Sequence, residues 1–203
     1  NSRHMSPERA AAVVKTAAEK IHALSPDIVL KKIDSRLKGN VVVECEAVAS
    51  VFQLSRLLMV PAAPDVGRYV IKGAVEGTGV ATPIPVQPLF VNSHYQIEIP
   101  DVASHDAMQG FVQHFIKERG MLPVCARGFG VALAEVMFPN AISVDTPLNK
   151  PWLVAIGSRD PVTAPQRTAL CGAFDFSCIE APDGNIGAYP PLSQSVLLHC
   201  SGI

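Results

Sequence analysis

A short apolar run at Ile28-Val29-Leu30, a helical stripe opening near Val41 and a second apolar run at Leu57-Leu58-Met59-Val60 constrain this chain more than any other feature. Two strands joined through a helix need a crossover connection, so the unit favours a parallel sheet with helices packed outside it. The first strand reads on through Lys31-Lys32-Ile33-Asp34-Ser35 as a short buried strand that ends in charges. Asn40 is placed to cap a helix from Val41 to Leu54, and the second strand stops at Pro61.

The same grammar recurs on both sides. Upstream, Ser6 is the expected N-cap and Pro7 the first residue of a helix whose stripe is Ala10, Val13, Val14, Ala17, Ala18 and Ile21. Downstream, Ser104 caps a helix through about Lys117, Leu122 to Cys125 is a strand, and a helix follows near Val131 to Met137. Trp152 to Ile156 opens a fresh strand, followed by Gly157-Ser158 and a helix from about Thr163. Between Gly67 and Val86 the text turns to Gly, Thr, Val and Pro in short alternating runs, which reads as a hairpin insertion, a mobile or peripheral arm. The expected fold is α/β, a mostly parallel sheet flanked by helices with a hairpin insertion, plus the start of a second α/β domain. The Pro-, Asn- and Asp-rich stretch Pro139 to Pro151 puts the boundary near Lys150, giving domains 1–150 and 151–203.

Composition narrows the partners. With 203 residues, 48% of them hydrophobic and only 6% aromatic, the chain can bury a largely aliphatic core. A formal net charge of -1 provides no field for gathering nucleic acid or an anionic membrane, so any anion must be caught by a local cluster. No apolar run approaches the roughly 18 residues of a membrane span, and no signal-peptide core opens the sequence, so a cytoplasmic setting is expected. Cys45, Cys125, Cys171, Cys178 and Cys200 form no C-x-x-C pair and read as reduced thiols without a disulfide. Neither they nor the six histidines show ligand spacing, and no metal site is expected.

Lys31, Lys32, Asp34, Ser35, Arg36, Lys38 and Asn40 crowd the ten residues between a strand's end and a helix's start. Crevices beyond the carboxyl ends of strands are where α/β sheets bind ligands. A carboxylate or phosphate would meet cations there together with the unpaired N–H groups of a helix start. Asp34 and Ser35 can bond sugar hydroxyls. The alternative is a solvated Lys-rich turn. Glu44 and Glu46 lie about 200° apart on the helix, so they do not converge and read as helix-surface acids.

The string KKIDSRLKGN, Lys31 to Asn40, resembles the most distinctive motif of the four-carbon acid sugar kinases, a family long known as a domain of unknown function. NSRHMSPERAAAVV at 1–14, VPAAPDVGR at 60–68 and LVAIGSRDPVTAPQ at 153–166 fall in that family's order. The resemblance implies an ATP-dependent kinase, using Mg²⁺, that phosphorylates a four-carbon sugar acid of the threonate, erythronate or oxo-tetronate type. It implies that Arg3 pairs with the substrate carboxylate, that Lys32, Asp34 and Ser35 hold hydroxyls with Lys38 and Asn40 in the same pocket, and that Arg68 reaches in from the arm. Gly157 and Ser158 match the family's Gly-Ser turn and would contact ATP phosphates. No catalytic residue stands out beyond Asp34, a candidate general base. Against the family pattern the chain starts after an acidic Asp-Asp-x-Thr-Gly-Ala segment and ends before the glycine-rich nucleotide segments. By itself it is expected to be inactive, with a homo-oligomer or partner chain over an exposed sheet edge.

Two other readings compete. Arg127-Gly128-Phe129-Gly130 after the Leu122 to Cys125 strand, with Asp145 further on, imitates the fingerprint of a dinucleotide-dependent oxidoreductase, although Leu133 stands where a third glycine belongs. A non-catalytic sugar-acid-binding or assembly module would keep the Lys32 to Asn40 crevice without phosphoryl transfer.

Overall fold

The apolar run at Leu57 to Val60 lies at the heart of the first sheet in the computed structural model, which describes residues 2–118, 120–141, 149–159, 161–182, 184–187 and 193–201. The chain divides into two compact units, Asn1–Ala141 and Ile142–Ile203.

In the first unit β1 (Lys31–Lys32), β2 (Arg56–Val60), β6 (Gln96–Glu98) and β7 (Met121–Cys125) form one sheet in the order β1-β7-β2-β6. Every pairing is parallel. The central strands β2 and β7 are the long and buried ones, as expected of strands covered on both faces. Helices α1 (Pro7–His22) and α2 (Val41–Val51) pack on one another, as do α3 (His105–Glu118) and α4 (Arg127–Met137). All four send side chains into a single core, among them Ala18, Cys45, Val48, Met108, Val112 and Phe129. Phe115 and Phe129 meet edge to face across the second pair, with centroids 5.9 Å apart.

Ser6 caps α1, accepting from the Arg9 amide at 3.4 Å, with Pro7 at the first helical position. Only Ala10 and Ala18 of its expected stripe are fully buried; Val13 and Ile21 stand about half exposed at 47% and 49%. Ser104 likewise accepts from the Ala107 amide at 3.1 Å at the start of α3.

Several expectations need correction. The strand expected to run on from Ile28 shrinks to Lys31–Lys32 at the sheet's edge, paired with Val124 and Cys125. It ends where the chain turns back at Asp34, whose carbonyl accepts from the Leu37 amide at 2.9 Å, and Ile28 to Leu30 pair with no strand among the described residues. The Gly67 to Val86 arm is a three-stranded antiparallel sheet of β3 (Arg68–Ile71), β4 (Ala74–Gly77) and β5 (Ile84–Pro85). It is not peripheral, since Val70, Val75 and Val86 are fully buried in the main core. Helix α4 starts at Arg127, four residues earlier than its periodicity indicated, which puts Gly128 and Gly130 inside the helix.

In the second unit β8 (Leu153–Ile156), α5 (Thr163–Ala173), β9 (Ser177–Pro182) and β10 (Val196–Ser201) build a parallel sheet in the order β8-β10-β9. Val196 and Leu197 on the central strand are its buried heart. The expectation of five reduced thiols is corrected here: Cys171, in the last turn of α5, is disulfide-bonded to Cys178 on β9. Their spacing of seven residues carries no recognised motif, and only the packing of helix on strand brings them together. Cys45 and Cys125 are buried and free. Among the described residues no helix is long and apolar enough to cross a membrane.

Candidate functional site

The turn after β1 is held from within. Ile33 is 4% exposed and its amide donates to the Cys125 carbonyl at 2.9 Å, which ties the strand's end to its neighbour. Asp34 then folds the chain over: its Oδ1 accepts from the Arg36 amide at 2.8 Å, the pattern of an Asx turn. Leu37 follows at φ 58° with its side chain buried, and Gly39 at φ 93° leads into α2. Gly39 carries a second constraint, because the Arg3 side chain lies directly over it, 3.5 Å from where a Cβ would stand.

The segment before α1 is strapped across this turn. Asn40, expected as a side-chain cap for α2, makes no capping bond; its Nδ2 donates to the carbonyls of Ser2 at 2.9 Å and Met5 at 3.1 Å. Arg3 forms an ion pair with Asp34. Ser2 Oγ donates to Glu44 Oε1 at 2.7 Å, and Lys31 Nζ donates to Glu44 Oε2 at 2.7 Å. Beside these contacts lies a partly open cavity of about 130 Å³ whose polar walls are Ser2, Arg3, Lys32, Asp34, Lys38, Asn40 and Glu44.

Glu44 was expected on the helix surface and is instead 9% exposed inside this site. The signal was present in the sequence: Glu44 stands three residues after Val41 and four before Val48, on the stripe that α2 buries. Glu46 faces elsewhere and accepts from Ser93 Oγ at 2.6 Å. Burial pushes the Glu44 carboxyl up, but hydrogen bonds from Lys31 and Ser2 and the Lys31 charge outweigh it and hold the pKa below the ordinary value. Burial pushes Asp34 up as well, and there the Arg36 amide and the Arg3 guanidinium win, again leaving the carboxyl lowered. Both acids are therefore ionised at neutral pH. Asp34 accepts from the Arg36 amide and pairs with Arg3, and its basicity is reduced, which suits accepting from a hydroxyl better than removing its proton.

Ser35 and Arg68, far apart in sequence, are brought together: Arg68 Nη1 donates to Ser35 Oγ at 2.5 Å while Nε donates to the Thr78 carbonyl at 3.1 Å. Lys32 lines the cavity with its Nζ bonded to the Ile33 carbonyl at 2.8 Å.

In the second unit Ser158 borders a cavity of about 490 Å³ beyond the ends of β8 and β10, with Arg159, Thr163, Arg167, Glu180 and His199. Thr163 Oγ1 donates to Ser158 Oγ at 3.0 Å, and Arg167 Nη1 lies 2.9 Å from His199 Nδ1. Arginine only donates, so that imidazole nitrogen is the acceptor. Gly157 lines a separate, more apolar cavity of about 170 Å³ with Ala155, Ala181 and Leu198.

The dinucleotide fingerprint does not take shape. Gly128 lies in the first turn of α4, where a Cβ would stand 2.9 Å from the Ala62 carbonyl oxygen, so this glycine permits close packing of helix against backbone. No glycine-rich turn precedes the helix among the described residues, and Asp145 lies outside them.

Residues 1–90 match the model of a family described as a sugar-binding N-terminal domain. That span takes in the whole strapped turn and the antiparallel arm. Comparison with curated proteins gives no match. Among solved structures, a domain of unknown function (DUF1537) from Bordetella bronchiseptica, described with bound citrate and as a domain-swapped dimer, is 21% identical with a TM-score of 0.58, over 97% of this chain and 59% of that one. A DUF1537 protein of Haemophilus influenzae is 12% identical with a TM-score of 0.61, over 98% of this chain and 63% of that one. A Salmonella typhimurium LT2 structure with a provisional tRNA-synthase name is 13% identical with a TM-score of 0.62, over 98% and 63%. At such identities the likeness is one of fold, and this chain spans less than two thirds of each of those proteins.

Proposed function

We propose that this chain binds a four-carbon sugar acid, of the threonate, erythronate or oxo-tetronate type, as part of an ATP-dependent kinase. The observation that carries the reading is the cavity under the N-terminal strap, where Arg3, Lys32, Lys38 and Asn40 surround a small polar space within the segment that matches a sugar-binding domain. A carboxylate there would meet charge-assisted donors, and Asp34 would accept from a sugar hydroxyl. The citrate bound to the Bordetella bronchiseptica protein, itself a hydroxylated carboxylic acid, agrees with that chemistry.

The nucleotide half of the reading rests on the second unit. Ser158 and Thr163 hydroxyls and the Arg159 and Arg167 guanidiniums are a donor set that suits a phosphate chain, in a cavity of about 490 Å³. ATP would supply the phosphoryl group, and Mg²⁺ would be held mainly by its phosphate oxygens, because among the described residues no three acids, histidines or cysteines gather as a cation site. In this reading the protein's contribution is positioning and charge neutralisation.

The non-catalytic reading draws support from Asp34. Its carboxylate is tied to Arg3 and the Arg36 amide and its pKa is lowered, which leaves the cavity without an evident general base. ADP release measured against threonate, erythronate and oxo-tetronate separates the two: turnover with one of them supports the kinase, and saturable binding without turnover supports the module. A self-paired oligomer, as in the domain-swapped Bordetella bronchiseptica dimer, is part of the proposal and is read by light scattering.

A further inference from the structure

His199 in the second unit is engaged by an arginine and not by an acid. Arg167 Nη1 lies 2.9 Å from its Nδ1, and because a guanidinium only donates, that nitrogen carries no proton and the imidazole is neutral. The sheet sets up the contact. Ile156, His199 and Glu180 stand in register across β8, β10 and β9, so their side chains share one face, and α5 lays Arg167 onto it. Cys171, one helical turn after Arg167, is bonded to Cys178 on β9, which fastens that side of α5 to the sheet. Among the described residues the charged and titratable groups facing the imidazole are Arg167 on α5, Arg159 after β8, Glu180 on β9 and Cys200 on β10. All of them line the same partly open cavity of about 490 Å³. Glu180 makes no hydrogen bond or ion pair among the described residues.

An arginine bonded to a neutral nitrogen holds a weaker partner than an anion would be, since charge-assisted bonds to phosphate are about twice as strong as neutral ones. We propose that His199 is a further phosphate-binding group of this cavity, one that takes up a proton when a polyphosphate enters. The phosphate draws the Arg167 fork away, which breaks the Nη1–H···Nδ1 bond. Nδ1 then receives a proton from the solvent and donates it in a new bond to a phosphate oxygen. In the empty cavity the two guanidiniums repel a charged imidazole; the phosphate cancels that repulsion, and Glu180 beside His199 adds attraction of the same sign. Histidine is the side chain that changes charge near neutral pH, so the proton is within reach there. The inference rests on the nucleotide half of the reading above and adds to it a pH dependence: a ligand whose binding takes up a proton binds more tightly as the pH falls.

Calorimetric titration of the protein with Mg²⁺-ATP, repeated in two buffers of different ionisation heat, counts the protons exchanged. The expected result at pH 7 is an uptake of about half a proton per ATP more than in His199→Asn, whose amide oxygen can still accept from Arg167 but cannot take the proton. Affinity should rise about fivefold from pH 8 to pH 6.5 in the parent and stay nearly level in that variant. Should His199→Asn not fold, nitrogen-15 NMR of the parent reads the same event, as a change of the His199 ring from one protonated nitrogen to two when ATP is added. ATP binding with equal proton exchange in parent and variant, or with a ring that stays singly protonated, overturns the role of His199 and leaves the nucleotide reading standing. Failure of ATP to bind at any of these pH values overturns both.

Discussion

Asn40 Nδ2 donates to the Ser2 carbonyl at 2.9 Å, so a residue at a helix N-cap position is used to fasten the preceding segment over the candidate site. Aspartate is as good a cap as asparagine but has no N–H to donate. Asn40→Asp is thus expected to lose about 1–2 kcal/mol of stability, close to the loss in Asn40→Ala, and to weaken sugar-acid binding. Urea denaturation checks the first; a variant as stable as the parent would show that the strap contributes nothing.

The Lys31 and Glu44 side chains are 15% and 11% exposed and bonded at 2.7 Å. Lys31→Met leaves a largely buried carboxylate with Ser2 as its remaining partner among these contacts and is expected to cost about 3 kcal/mol, with much of that recovered in the double variant Lys31→Met/Glu44→Leu. A double-mutant cycle by chemical denaturation measures the coupling.

Acid should loosen the strap before it unfolds the core. Glu44 and Asp34 have pKa values lowered from 4.5 and 3.8, so the stability they contribute is fully present above those ordinary values. It is lost as the pH falls through the lower folded-state values, because the unfolded chain then binds more protons. Stability followed from pH 7 downwards should fall in that range, and Glu44→Gln should flatten the fall. An unaltered slope in that variant would remove Glu44 as a source.

Gly128 and Gly130 lie two residues apart in α4 and should respond oppositely to alanine. A Cβ at Gly128 would stand 2.9 Å from the Ala62 oxygen and 3.2 Å from the Ala63 Cα, backbone that does not yield cheaply, so Gly128→Ala is expected to cost about 2 kcal/mol despite alanine's better helix propensity. Gly130 meets nothing within 4 Å, and Gly130→Ala is expected to gain about 0.5–1 kcal/mol. Thermal melts of the two variants decide it.

Burial pushes the Cys45 and Cys125 thiols up to about 12, so at neutral pH they remain protonated and shielded. Native protein should incorporate a thiol reagent at Cys200 but not at those two, with Cys171 and Cys178 reacting only after reduction. Peptide mapping of the labelled sites reads this out, and labelling of Cys45 without unfolding would contradict the burial.

Part of the element order was readable from local pattern: the Ser6-Pro7 start of α1, the apolar runs of β2 and β7, and the hairpin text of the arm declare themselves within a few residues, whereas β6, β9 and β10 were not read from the sequence. Periodicity and capping are short-range physics, so a single sequence carries them. The charged turn from Lys31 to Asn40 was legible for the same reason, as a local cluster at a strand's end. What only the tertiary structure decided is which charges meet. Glu44 became the partner of Lys31, Arg68 came to Ser35 from the arm, Asn40 reached back to Ser2, and Cys171 found Cys178. The first three depend on the turn at Asp34 and on how the arm and helices of the first unit pack, and the last on α5 lying against β9, distances through space that no local spacing encodes.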